Sequence, residues 1–217
     1  TNLQEYISNS IDATRENNND KKVIVDIPTI FNEGFLKIRD YGVGLNENRL
    51  KTVFVNFGAT TKDTSNNQIG GFGIGAKSAF KYTDHFYINT FLDGVKSDYI
   101  VRIGDQGGLV LETLGQSKTD ELNGTKISIK IKANDFNDVR KGCHRIAAFN
   151  HDMVQVNDGE RLELGTGIKL NDTMTVYGTH ELPMFNRYEL SDLNLVVGGV
   201  TYHIQYSTLR EFDIKLN

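Results

Sequence analysis

Cysteine, proline and long apolar runs are scarce in this 217-residue chain. A single cysteine, Cys143, excludes an internal disulfide and a cysteine-rich metal site, and it fits a reducing cytoplasm. No motif marks it as reactive, so it reads as a small core residue near a helix. There are only two prolines, no internal repeat and no low-complexity linker. No run approaches the ~18 apolar residues of a membrane span, and no signal peptide is visible. The formal net charge of −4 argues against a globally basic, DNA-binding surface. The chain opens on Thr1 rather than Met, and its start is read as a truncated or processed end.

What is present is an ordinary globular composition, 38% hydrophobic and 24% charged, long enough for one large domain or one domain and part of a second. Leu3, Tyr6, Ile7 and Ile11 recur at helical spacing, so 1–18 reads as a helix stopped by Asn17-Asn18-Asn19-Asp20. Val23–Ile27 and Phe35–Arg39 read as a hairpin of strands. Asn46 is placed to cap a helix running to about Val55. A polar stretch, 57–71, is longer at ~15 residues than ordinary connections, and loops of that length are often lids. A glycine run then opens a helix near Ala76–Tyr82. Strands are expected at 85–92, 97–103, 108–114 and 124–132, with Asp93-Gly94 as a hairpin turn. Asn134 or Asp135 is placed to cap a helix through Phe149. Beyond His151 the pattern is short strands and turns, which puts a soft domain boundary near 150.

Four pieces carry chemistry. Glu5, Asn9 and Asp12 are spaced by four and three residues, which places them on one helix face. A carboxylate one turn from a carboxamide suits a water-activating base beside a Mg²⁺ ligand, since Mg²⁺ takes oxygen ligands and keeps most of its waters. Alone, the pattern is no more than a polar helix face. Asp40-x-Gly42-x-Gly44 ends a strand, where the carboxylate can accept a hydrogen bond from an exocyclic amine such as adenine's, and the glycines permit close backbone approach and positive φ. Alone, it is an ordinary turn. Gly71-Phe72-Gly73-Ile74-Gly75-Ala76-Lys77-Ser78 exposes backbone N–H groups to phosphate at a helix start, and Lys77 adds a point charge or is simply solvated. The spacing is neither a Walker loop nor a Rossmann fingerprint. Gly124-Thr125 opens a strand, where a hydroxyl could reach Asp40 or an adenine-bound water.

In this order the four pieces resemble the Bergerat ATP-binding fold of the gyrase–heat-shock chaperone–histidine kinase–MutL (GHKL) superfamily, over residues 1 to about 132. The resemblance implies an α+β, two-layer sandwich with a mixed sheet and helices on one face, followed by the start of a second, mostly β segment. The domain would span 1–150, its N-terminus truncated, and 151–217 would begin a transducer-like second domain or C-terminal extension. The resemblance also implies ATP and Mg²⁺ as ligands, Glu5 as general base and Asn9 as the metal ligand. Asp40 would anchor adenine, with Gly42 and Gly44 shaping that pocket. Gly71, Phe72, Gly73, Ile74, Gly75 and Lys77 would serve the lid hinge and phosphates, Thr125 the adenine side, and Asp12 the acidic position after the metal-binding Asn. In such ATPases a Lys or Arg from the following domain reaches the γ-phosphate, and that cation is expected beyond Asn217.

Glu5-Tyr-Ile-Ser-Asn-Ser-Ile-Asp-Ala13, the stretch from Gly70 to Asp84 and Val197-Gly-Gly-Val-Thr-Tyr202 also resemble the phage rIIA lysis-inhibition proteins. That likeness implies slow ATP hydrolysis in a phage protein concerned with lysis timing or host interaction, in the host cytoplasm or at the membrane periphery. It implies a phage or host protein partner and a homodimer formed on nucleotide-dependent closure. The alternatives are a nucleotide-gated, non-hydrolysing interaction module and a MutL- or topoisomerase-like ATPase working on DNA. Direct nucleic-acid contact by this domain is not expected from the chain's acidity. Lys126, Lys130 and Lys132 read as one solvated strand face, and His85, His144, His151, His180 and His203 as structural or solvated residues.

Overall fold

A computed structural model describes residues 4–54, 78–105, 107–159, 164–169, 175–177, 193–197 and 200–204. The expected lid at 57–71 and the site residues Gly71, Phe72, Gly73, Ile74, Gly75 and Lys77 lie outside these. The described elements are α1 (Gln4–Glu16), β1 (Val23–Asp26), β2 (Phe35–Arg39), α2 (Glu47–Phe54), a 3-10 turn (Ala79–Lys81), β3 (His85–Leu92), β4 (Val95–Ile103), β5 (Leu109–Lys118), β6 (Gly124–Lys130), α3 (Phe136–Phe149) and β7 (Val154–Val156). Two small antiparallel pairs follow: β8 (Ile168–Lys169) with β9 (Thr175–Val176), and β10 (Leu193–Val197) with β11 (Val200–Ile204).

The seven longer strands form one mixed sheet in the order β5-β4-β3-β6-β2-β1-β7, antiparallel except for the β1–β7 pair. Alternation of apolar residues fixes which face is buried, because partners in register share a face. Val101, Phe86, Ile129 and Leu36 make one apolar row across β4, β3, β6 and β2. Tyr99, Ile88, Ile127, Ile38 and Val25 make a second that reaches β1. On these rows sit Tyr6, Ile7 and Ile11 of α1, Leu50 of α2, and Val139, Cys143 and Ile146 of α3, all in one core. Each large aliphatic side chain buried there contributes about 1.5–3 kcal/mol. The arrangement is α+β, with helices covering one face of a mixed sheet. Phe86 is buried there, Tyr82 is nearly so, and Phe80 is partly buried against the core.

Local chemistry explains the element ends. Asn46 caps α2: its side-chain oxygen accepts from the Arg49 N–H at 2.9 Å, and its carbonyl accepts from Leu50. Asp93 and Gly94 both have positive φ, as a tight two-residue hairpin requires. At α3 the expectation is corrected in one detail. Asp135 occupies the cap position, but Ala133–Asp135 forms a 3-10 turn and its side chain makes no capping bond. β7 pairs in parallel with β1, so the sheet takes in residues past the soft boundary near 150. Among the described residues no helix is long and apolar enough to cross a membrane.

Candidate functional site

Asp40 follows the last residue of β2 and is buried, with 7% of its surface exposed. Its Oδ1 accepts two backbone hydrogen bonds, from Gly42 N–H at 2.9 Å and Thr125 N–H at 3.0 Å, while its own N–H donates to the Thr125 carbonyl at 2.9 Å. One carboxylate oxygen is thereby committed to holding the loop on β6. The other, Oδ2, accepts no hydrogen bond from any described residue. Burial pushes the carboxyl pKa up to about 6, against the opposing pull of these two N–H groups and the Arg39 guanidinium.

The loop after Asp40 is seated on α1. Tyr41 N–H donates to Thr14 Oγ1 at 3.1 Å, and the Asn17 side-chain amide donates to the Tyr41 carbonyl at 3.0 Å. A Cβ on Gly42 would stand 3.0 Å from both the Cβ and the carbonyl oxygen of Ala13. Gly42 is thus required for close packing on the helix, and no positive φ is involved. Gly44 is the residue with positive φ, +81°, and a Cβ there would collide with the Phe91 carbonyl. Thr90 Oγ1 donates to the Leu45 carbonyl at 2.7 Å and closes the turn.

Gly42 therefore marks where α1 meets the adenine-side candidate, at Ala13. Asn9 and Glu5 lie four and eight residues before Ala13, on the same stripe of the helix. At 5.4 Å per turn they stand roughly one and two turns further along the axis. Glu5, Asn9 and Asp12 are all partly buried, yet none makes a side-chain hydrogen bond or ion pair with another described residue. Burial raises the pKa of Asp12, with Arg15 opposing and Glu16 adding to the rise. Tyr6 on the adjacent face hydrogen-bonds the Ser78 side chain and the Ala79 backbone, tying α1 to the residues that follow the glycine run.

The structure thus brings Asp40, Gly42 and Thr125 together by hydrogen bonds and sets the Asn9–Glu5 stripe leading away from them. Of the two contacts expected of the Thr125 hydroxyl, the one to Asp40 is made by the backbone instead. The backbone of Thr125, not its side chain, reaches Asp40, and the hydroxyl bonds to no described residue. Arg39 is a positioning residue that the sequence did not single out. It is 8% exposed, its guanidinium lies 4.1 Å from the Phe91 ring centroid and 4.7 Å from that of Tyr41, and it donates to the Asp40 and Leu122 carbonyls. Its only sequence signal is a basic residue directly before the strand-ending Asp. Gly124 has φ +139°, and a Cβ there would overlap the Asp40 carbonyl.

An adenine nucleotide fits this donor and acceptor set. Among the described residues nothing donates to Oδ2 of Asp40 or engages the amide oxygen of Asn9, which lies one helical turn before the Ala13 contact with Gly42. No cluster of three His, Cys, Asp or Glu side chains able to hold a metal occurs among the described residues. One Asn oxygen fits an ion that takes its remaining ligands from phosphates and water. Residues 1–130 match the family described as histidine kinase-, DNA gyrase B- and HSP90-like ATPase. That span takes in α1, the Asp40 loop and Thr125, and it ends with β6. No curated protein matches the chain.

Proposed function

The chain belongs to the histidine kinase-, DNA gyrase B- and HSP90-like ATPase family, and we propose that it binds ATP with Mg²⁺ and hydrolyses it slowly. The observation that carries this reading is the pairing of the half-committed carboxylate of buried Asp40 with a Glu5–Asn9 stripe whose side chains have no hydrogen-bond partner among the described residues, on the helix that seats its loop. Asp40 Oδ2 accepts from the adenine amine, and Thr125 and the Gly42–Gly44 loop close around the ring. Asn9 holds Mg²⁺, with Asp12 beside it; when bound, the ion neutralises phosphate charge. Gly71, Phe72, Gly73, Ile74, Gly75 and Lys77 offer backbone N–H groups and one cation to the phosphates. Glu5 orients the attacking water and takes its proton. Turnover by this chain alone is slow where a cation from a following domain or a dimer partner completes the site.

The reading extends to biology through the rIIA likeness. The protein is a phage ATPase acting in lysis timing or host interaction, in the host cytoplasm, with a protein partner engaged on closure. Residues 151–217 begin its transducer-like or C-terminal segment.

Titrating a non-hydrolysable ATP analogue calorimetrically into wild type and Asp40→Asn tests the pocket. Binding to the wild type that collapses in the variant is expected. Absence of wild-type binding sinks the proposal. Glu5→Ala then separates hydrolysis from gating: it should abolish turnover and leave binding intact. Unchanged turnover would make the protein a nucleotide-gated module rather than a Glu5-dependent ATPase.

A further inference from the structure

The sheet face opposite the helices carries a charge that the chain's net −4 conceals. In register, Lys37 faces Ser128, and Lys126 faces Asn89 on one side and Arg39 on the other. Lys130 faces Phe35 and lies 4.9 Å from its ring centroid, donating to the Glu33 backbone carbonyl. Lys37, Lys126 and Lys130 have no carboxylate partner among the described residues. By contrast, Lys96 on the same face is neutralised by Asp98 at 3.1 Å, and Arg102 by Glu112. Burial lowers the pKa of Lys126; Lys96, Lys37 and Arg39 push the same way, while Glu121 opposes them. Like charges on adjacent strands destabilise a sheet, so this cluster costs stability unless an anion covers it.

Lys37 and Lys126 line a groove of about 620 Å³ built from strand and loop residues alone, and Lys130 reaches it only through the Phe35 ring. Two aromatic rings stand in it, Phe35 and Tyr87, with centroids 6.2 Å apart and planes tilted by 57°. Asn89, opposite Lys126 and donating to Asp98, and Ser128, opposite Tyr87, line it too, as does Phe31, 92% exposed. Lysines that track a backbone, rings on which bases stack and short polar groups for base edges are the chemistry of a single-stranded nucleic-acid platform on an antiparallel sheet. An acidic peptide would satisfy the lysines and leave the rings without purpose.

We propose that the helix-free face of the β2-β6-β3 sheet binds single-stranded nucleic acid, Lys37, Lys126 and Lys130 neutralising phosphates and Phe35 and Tyr87 stacking bases. The site is independent of the nucleotide site, which lies on the helix side. In the sequence alone Lys126 and Lys130 read as a solvated strand face, because Lys37, Phe35 and Tyr87 join them only through strand pairing. Lys132 lies beyond the end of β6 and is not part of the platform.

The test is fluorescence anisotropy of labelled oligo-dT and oligo-rU, each about 20 nucleotides long, enough for one such platform. Titrations run across the salt range above roughly 50 mM. The wild type should bind at least one oligomer with log K falling linearly against log salt. Replacing both lysines, as Lys37→Gln with Lys126→Gln, should weaken binding about tenfold or more and reduce the salt slope by roughly 1.4, that is ~0.7 per lost phosphate contact. Tyr87→Leu should weaken binding about fivefold or more and leave the slope unchanged. Cooperative thermal unfolding of each variant, at or above the wild-type temperature for the double lysine variant, certifies the fold. The proposal is overturned by no wild-type binding to either oligomer at the lowest salt. Equal binding of polyglutamate would point instead to an acidic protein partner, and indifference to Tyr87→Leu to mere polyanion attraction.

Discussion

Asp40 shows at the residue scale how function and stability oppose one another. Its folded pKa of about 6 lies above the ordinary 3.8, so the fold prefers the protonated form. The penalty for keeping it charged is absent below about pH 4, grows as pH rises and is fully present above about pH 6. Asp40→Asn retains an oxygen for the Gly42 and Thr125 N–H groups and removes the charge. It should therefore raise stability at pH 7, by about 2–3 kcal/mol from the size of the shift, while destroying nucleotide binding; denaturant unfolding of both proteins at pH 7 and pH 4 checks it, and the gain should vanish at pH 4. A second expectation follows from which oxygen is free. With Oδ1 accepting two N–H bonds, the proton goes to Oδ2, where it turns an acceptor into a donor facing the adenine amine. Analogue affinity should fall about tenfold per pH unit below 6, measured by calorimetry with Mg²⁺ saturating, and a flat profile between pH 7 and 5 would count against the assignment.

At the scale of elements, α1 and the loop on it behave as one part. Thr14, Asn17 and the Ala13–Gly42 contact hold the loop to the helix, and Gly44 with Thr90 holds it to the sheet. Gly44→Ala places a side chain at positive φ, which alone costs about 1–2 kcal/mol, and drives it into the Phe91 carbonyl. The variant should melt several degrees lower and lose nucleotide affinity together; unchanged melting would show that the turn relaxes freely. Much of this part was legible beforehand. The helical spacing of Tyr6, Ile7 and Ile11, the Asn46 cap, the β1–β2 hairpin and the Asp93-Gly94 turn are local signals, and the structure keeps them. What was not legible depends on pairing between distant strands. Nothing local says that Thr125 meets Asp40 through its backbone, or that Arg39 inserts between Tyr41 and Phe91. β7 was equally hidden, since three residues joining β1 in parallel carry no hairpin signal. Of the two readings open for His144, structural or solvated, burial selects the first: its Nε2 lies 2.7 Å from Asp158, which Arg140 also binds at 2.9 Å, fastening α3 to the chain after β7.

For the whole molecule, the sheet separates two chemistries. The apolar rows, the helices and the proposed nucleotide site lie on one side, and lysines without a carboxylate partner among the described residues gather on the other. Composition averages the two faces to mild acidity, which is why charge counting across the chain missed the second. A ligand bound to the folded state alone stabilises it by mass action, about 2.7 kcal/mol at a hundred times Kd. For a chain of this length that corresponds to a rise of roughly 5–10 °C in Tm, readable by differential scanning fluorimetry with the Mg²⁺-bound analogue. The rise should be missing in Asp40→Asn and intact in the Lys37→Gln, Lys126→Gln protein.

The parallel pairing of β7 with β1 also sets how the domain answers force. Asn157 continues the attachment, its N–H donating to the Val25 carbonyl and its side-chain amide to Asp26. Tension along the chain leaving β7 loads these bonds together, in shear, and not one at a time as in unzipping. The pull is delivered to β1, which a short connection joins to the end of α1 that clamps the Tyr41 loop. Whatever follows residue 157 is thus harnessed to α1 by a stiff mechanical linkage.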